Sequence, residues 1–112
     1  EIAPLINQIK DIRARTDVLG GIFDHAVKKD RLKEVELELA EPSVWDNPEK
    51  AQALGRERAS LEVVVATIET LDAGCDDASD LLDLAVEEDD KDTADAVEQD
   101  LAGLEIALEK LE

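Results

Sequence analysis

The chain has no tyrosine and no methionine, one cysteine, one histidine, and only two aromatic residues, Phe23 and Trp45, among 112. Each shortage closes a class of function. A lone Cys75 forms no internal disulfide, so nothing points to an oxidising compartment. His25 and Cys75 together fall short of the roughly three or four nitrogen and sulfur ligands that hold zinc, and no metal is expected. The acidic run Glu87-Glu88-Asp89-Asp90-Lys91-Asp92 lacks the glycine that a calcium loop needs. The five glycines are scattered, Gly20-Gly21 leads into no phosphate-cradling Gly-Lys-Ser/Thr, and there is no Gly-x-Ser-x-Gly nucleophile turn. No apolar run approaches the ~20 residues that cross a bilayer. The opening Glu1-Ile2-Ala3-Pro4 has neither the basic nor the apolar part of a secretory signal. The expectation is a cytoplasmic protein with no catalytic residue, no cofactor, no metal and no membrane partner.

Positive charge is also scarce. Twelve Lys and Arg face thirty Asp and Glu, for a net charge of −18. A chain this acidic and poor in aromatics raises the question of disorder, and it opposes broad binding to the phosphates of DNA or RNA. The imbalance is local. Residues 1–40 carry a net charge of −1, residues 41–69 carry −3, and residues 70–112 carry −14. The basic side chains concentrate at Lys28, Lys29, Arg31 and Lys33, behind Arg13 and Arg15. Such asymmetry predicts one face able to meet an anionic surface and another that is solvated or meets a basic partner.

Against disorder stands the apolar pattern. Leu5, Ile9, Ile12, Thr16, Leu19 and Phe23 step by fours and threes, which is one helical stripe, with Pro4 suited to its first turn. Gly20-Gly21 marks an end or kink, and Asp24 is the expected N-cap of a second helix over 25–40. Val27, Leu32, Val35 and Leu39 would bury that helix, widened by Leu37 and Ala40. Glu41-Pro42 ends it, because the residue before proline is pushed out of the α region. Asn47-Pro48-Glu49 then opens a long helix to about Glu88, with cap, first-turn proline and first-turn acid in place. Leu54, Leu61, Ile68, Cys75 and Leu82 recur every seven residues, with Val64, Leu71, Ala78 and Ala85 between them. Asp89 or Asp90 caps a last helix whose stripe is Ala94, Val97, Leu101, Leu104, Leu108 and Leu111. That stripe reaches the final residues without a glycine cap, which reads as a helix cut short or the start of a linker. The predicted fold is all-α. It is a single domain over 1–112, a bundle of three to four helices with two long antiparallel members packed like a coiled coil.

Trp45 lies in the connector Pro42-Ser43-Val44-Trp45-Asp46-Asn47-Pro48. Two readings stand side by side: a ring that plugs the end of the bundle, or an exposed aromatic anchor for a partner. Cys75 falls on the apolar stripe and reads as a small core residue, and His25 as a surface residue.

The stretch from Leu39 through the Trp45 connector to Ala51-Gln52-Ala53-Leu54-Gly55-Arg56-Glu57 resembles the N-terminal helical domain of the bacterial peptide chain release factor 2 family. Arg15-Thr16-Asp17-Val18-Leu19, Asp24 with Lys28-Lys29 and Arg31-Leu32, and the acidic end from Leu81 to Asp90 fit the same pattern. The resemblance implies a class I translation termination factor acting at UAA and UGA stop codons. A tripeptide in a later domain reads the codon, and a Gly-Gly-Gln loop in another promotes hydrolysis of peptidyl-tRNA. This chain contains neither Gly-Gly-Gln nor Ser-Pro-Phe, so the resemblance implies docking without chemistry. The implied partners are the ribosome, at the large-subunit stalk base with the ribosomal L11 protein and adjacent rRNA, and a functional link to the GTPase release factor 3. Family genes often carry a programmed frameshift near a Leu-Asp pair, and Phe23-Asp24 departs from it. The residues expected to meet the partner are Lys28, Lys29, Arg31, Lys33 and Trp45. The alternative is a free-standing acidic helical adaptor that associates through its heptads.

Overall fold

The computed structural model describes residues 2–112. It consists of α1 (Ala3–Ile22), α2 (His25–Ala40), a short 3-10 turn (Pro42–Asp46), α3 (Pro48–Glu88) and α4 (Lys91–Leu111). No strand occurs among the described residues. The all-α expectation holds, with α3 and α4 as the long antiparallel pair.

The boundaries have local causes. The Asn47 side chain accepts the Lys50 N–H at 3.3 Å, with Pro48 and Glu49 in the first turn of α3. Asp90 caps α4 by accepting the Thr93 N–H at 3.2 Å and the Thr93 hydroxyl at 2.7 Å. Asp89 turns the chain between α3 and α4 in the left-handed region, at φ 50°. That conformation is usually given to glycine, and short side chains such as aspartate tolerate it. Two expectations are corrected at the α1–α2 junction. The helix α1 continues through Gly20 and Gly21 to Ile22. Asp24 precedes α2 as expected but caps nothing with its side chain; it too sits in the left-handed region, at φ 52°.

Helix α3 is the axis. Its 41 residues extend about 60 Å at 1.5 Å per residue, and the whole molecule measures 60 × 25 × 18 Å. Both α1 and α2 run antiparallel to it, one after the other: Arg13 of α1 meets Asp76, while Arg31 of α2 meets Glu57. With α4 folded back on the C-terminal half, that half is a three-helix bundle and the N-terminal half is a two-helix hairpin.

Two cores follow from this division. The larger contains Leu5, Ile9, Ile12 and Leu19 of α1, Leu71, Cys75, Ala78 and Leu82 of α3, and Val97, Leu101 and Leu108 of α4. Thr16 is buried among them and satisfies its hydroxyl by donating to the Ile12 carbonyl at 2.7 Å. The smaller core holds Val35, Val44, Ala51, Leu54 and Leu61. Every heptad position expected of α3 is buried. At Gly74 the side chain of Leu104 from α4 lies against α3: a Cβ there would come within 2.6 Å of a Leu104 methyl, which would have to shift.

On α2 the expected core is too wide. Val35 is fully buried, and Leu32 and Leu39 are half-buried against the smaller core. Val27, Leu37 and Ala40 are exposed, Leu37 at 70%. A helix covered by one neighbour buries a narrower stripe than one inside a bundle.

Candidate functional site

The connector forms the tip of the α2–α3 hairpin. Glu41 leaves the helical region at ψ 122°, as a residue before proline must, and Pro42–Asp46 wind into one tight turn. Val44 is the side chain that turns inward and closes the smaller core. Trp45, next along the chain, turns outward and is 61% exposed. Of its two sequence readings, the plug falls to Val44. The Trp45 indole N–H donates to the Leu39 carbonyl at 3.0 Å, which satisfies one orphan carbonyl of α2's last turn and fixes the ring. Beside the ring, Ala40, Gly55 and the stem of Arg58 line a shallow groove with Glu36 and Ala51.

The basic residues of α2 lie elsewhere. They occupy its first three turns, so about 20 Å of helix separates Lys28 from the tip. The structure therefore divides the five expected contact residues between two places. Within the basic group the charges are further divided. Arg31 clasps Glu57 with two bonds, Nε to Oε2 at 2.7 Å and Nη2 to Oε1 at 2.8 Å, and reaches Glu34 at 3.2 Å. Lys29 pairs with Glu69 at 2.6 Å. Lys28 and Lys33 make no ion pair among the described residues. Arg31 and Lys29 thus bind α2 to α3, and Lys28 and Lys33 are the charges left to meet something outside.

These pairs shift both partners. Hydrogen bonding to Arg31 holds the Glu57 carboxyl below the usual carboxylate range, and Lys29 does the same for Glu69. A lowered carboxyl contributes stability above its unfolded pKa of about 4 and loses it as pH falls through the folded value. Asp72 behaves oppositely. Partial burial against α1, with Asp17 and Asp76 nearby, raises its carboxyl, so acidification relieves a cost there. The expected result for Arg31→Ala is a stability deficit at neutral pH that shrinks as pH falls below about 4, read by thermal unfolding in parallel with the parent. An unchanged deficit at low pH would mean that the Arg31 stem, not its charge, makes the contribution.

His25 sits at the start of α2 with a buried Nε2 that has no hydrogen-bond partner, 3.8 Å from the Glu69 carboxylate. Cys75 is fully buried, and burial pushes its thiol up, which leaves it inert. Among the described residues no group of three His, Cys, Asp or Glu side chains is placed to hold a metal ion. No helix there is long and apolar enough to cross a membrane.

Sequence reasoning passed over Arg58. It lines the groove beside Trp45 while pairing with Glu62 at 3.0 Å. The signal was present as Arg56-Glu57-Arg58, but averaging charge over 41–69 concealed it.

Residues 28–112 match the family model described as PCRF domain. The chain is 54% identical over all 112 residues to a protein named peptide chain release factor 2 from Aliivibrio fischeri, covering 31% of that protein. It is 54% identical, with the same coverage, to its namesake from Pseudoalteromonas translucida, and 52% identical to that from Proteus mirabilis. The chain thus spans about a third of the length of these curated relatives, 31% in each case.

Proposed function

The chain belongs to the PCRF domain family, and from that membership we propose that it is the ribosome-docking part of a translation termination factor. Similarity to peptide chain release factor 2 along all 112 residues is the observation that carries this reading. In it, the whole protein directs peptide release at UAA and UGA codons in the cytoplasm. The 112 residues contribute attachment, having neither the Gly-Gly-Gln nor the Ser-Pro-Phe of the family's chemistry and codon reading. The contact is made at the large-subunit stalk base, with the ribosomal L11 protein and adjacent rRNA, and it is linked to the GTPase release factor 3.

Two features favour a surface of this kind. Trp45 is a rigid, exposed aromatic whose N–H is already satisfied, so placing its ring against a partner leaves no buried donor unpaired. Lys28 and Lys33 suit a phosphate-bearing surface, while the acidity of residues 70–112 suits the basic flank of a ribosomal protein.

The test is cosedimentation of the fluorescently labelled chain with ribosomes. Saturable binding is expected, displaced by full-length release factor 2 and weakened when ribosomes lack the L11 protein. Trp45→Ala is expected to weaken binding about tenfold, with helix content unchanged. Lys28→Ala combined with Lys33→Ala should flatten the salt dependence. Absence of saturable binding, or binding that the full-length factor does not displace, overturns the reading.

A further inference from the structure

Helix α3 carries a second stripe that α1 and α2 leave uncovered. Val63, Thr67, Thr70, Gly74, Asp77, Leu81 and Leu84 step by fours and threes. Of these, Val63, Thr67, Thr70, Gly74 and Asp77 line the side of α3 next to α4. On α4 the matching wall is Gln99, Asp100, Gly103, Ile106, Ala107 and Lys110. A groove runs between the two helices, apolar at the end lined by Val63 and Ile106, small in its middle and acidic at Asp77 and Asp100. Val63 is 61% exposed and Ile106 56%. A Cβ at Gly103 would meet nothing, so the floor is open. Spacing near 3.5 on one wall and a width set by two parallel ridges are what a further helix packs into at about 20°.

Charge identifies the occupant. On the α1 side four acids are answered, Asp76 by Arg13 and Asp11, Glu105 and Glu112 by Arg15, while Asp17 and Asp72 are not, among the described residues. Of the acids that line the groove, Asp77 and Asp100 make no ion pair among the described residues. The one cation lining the groove, Lys110, stands at the opposite end from these acids. A second copy of a chain with net charge −18 would bring like charge to like.

We propose that the α3–α4 groove is a docking site for a basic amphipathic helix of a partner protein. Its apolar stripe lies over Val63, Gly103 and Ile106, and its Lys and Arg residues meet Asp77 and Asp100. The proposal goes beyond ribosome attachment at the tip, and the two surfaces fail separately. Trp45→Ala should leave the groove intact, and a groove variant should leave tip binding intact.

The experiment is a titration of the isotope-labelled chain with a helical Lys/Leu peptide of about 18 residues at about 150 mM salt. A peptide of identical composition but scrambled pattern is the control. Backbone shifts are expected at Thr67, Thr70, Gly103 and Ile106, with the scrambled peptide about tenfold weaker or worse. Gly103→Trp fills the groove and should weaken binding about tenfold; Ile106→Ser is the second variant, chosen because it changes an exposed side chain and leaves the fold alone. Val18→Ser on the outer face of α1 should have no effect. Equal binding of the scrambled peptide, shifts spread over every acidic face, or self-association abolished by Ile106→Ser would each overturn the proposal.

Discussion

Leu71→Ala is expected to cost about 3–5 kcal/mol of unfolding free energy. Leu71 is fully buried where α1, α3 and α4 meet, in one cluster with Ile12, Cys75 and Leu101. Three helices hold the walls of that site apart, so the cavity left by alanine collapses only in part, which places the loss at the upper end of the range for such changes. A domain of this size has roughly 5–15 kcal/mol in total, and the melting midpoint should fall by roughly 10–20 °C. The measurement is urea unfolding followed by circular dichroism, in which the midpoint moves and the slope does not. Leu37→Ala is the matched control. Leucine for leucine the sequence makes both core residues, yet Leu37 is 70% exposed and its loss should stay within about 0.5 kcal/mol. Equal costs at the two positions would mean that the arrangement of α2 on α3 described above is wrong.

Ala66→Pro should cost about 3 kcal/mol or more, for a different reason. Ala66 faces solvent on α3, midway between the two cores. No packing is lost with its methyl. Proline removes the bond from its own N–H to the Glu62 carbonyl and drives its ring against that turn. Because α3 is the one element shared by both cores, the damage is expected to divide the molecule. Amide hydrogen exchange should stay slow around Leu71, Leu82 and Leu101, while α2 and the tip lose protection. Ala66→Gly, at about 1 kcal/mol, separates loss of helix propensity from a true break. Uniform loss of protection after Ala66→Pro would show that the two halves unfold as one unit.

The long helix was legible residue by residue because its seven-residue repeat meets a partner at every turn. Leu54 through Leu82 each contact α1, α2 or α4, so pattern and burial coincide. Helix α2 was less legible. Val27 and Leu37 are as apolar as Val35, but Leu37 lies about 200° round the helix from it, and a single neighbour, α3, covers only one narrow face. In the basic cluster the long-range pairing was not legible. Arg31 meets a glutamate 26 positions away and Lys29 meets Glu69, and no local pattern encodes either pair. At the tip, the sequence singled out the connector, but the choice between Val44 and Trp45 as the inward side chain depended on the turn geometry that Pro42 imposes. The outer stripe of α3 was written in the sequence too. Thr67, Thr70, Gly74 and Asp77 interrupt its apolar ends, so it does not register as hydrophobic periodicity.

The single helix that joins the two halves also acts as a lever. Its base is gripped by α1 and α4, and its free end carries the Trp45 turn some 60 Å across the molecule. A rigid-body rotation at the base sweeps the far end by about 1 Å per degree. A tilt of about ten degrees, small for a domain docked through a modest interface, therefore carries the tryptophan about a nanometre. The indole that Leu39 anchors keeps its local geometry throughout such a swing, so where it lands is decided at the opposite end of the molecule.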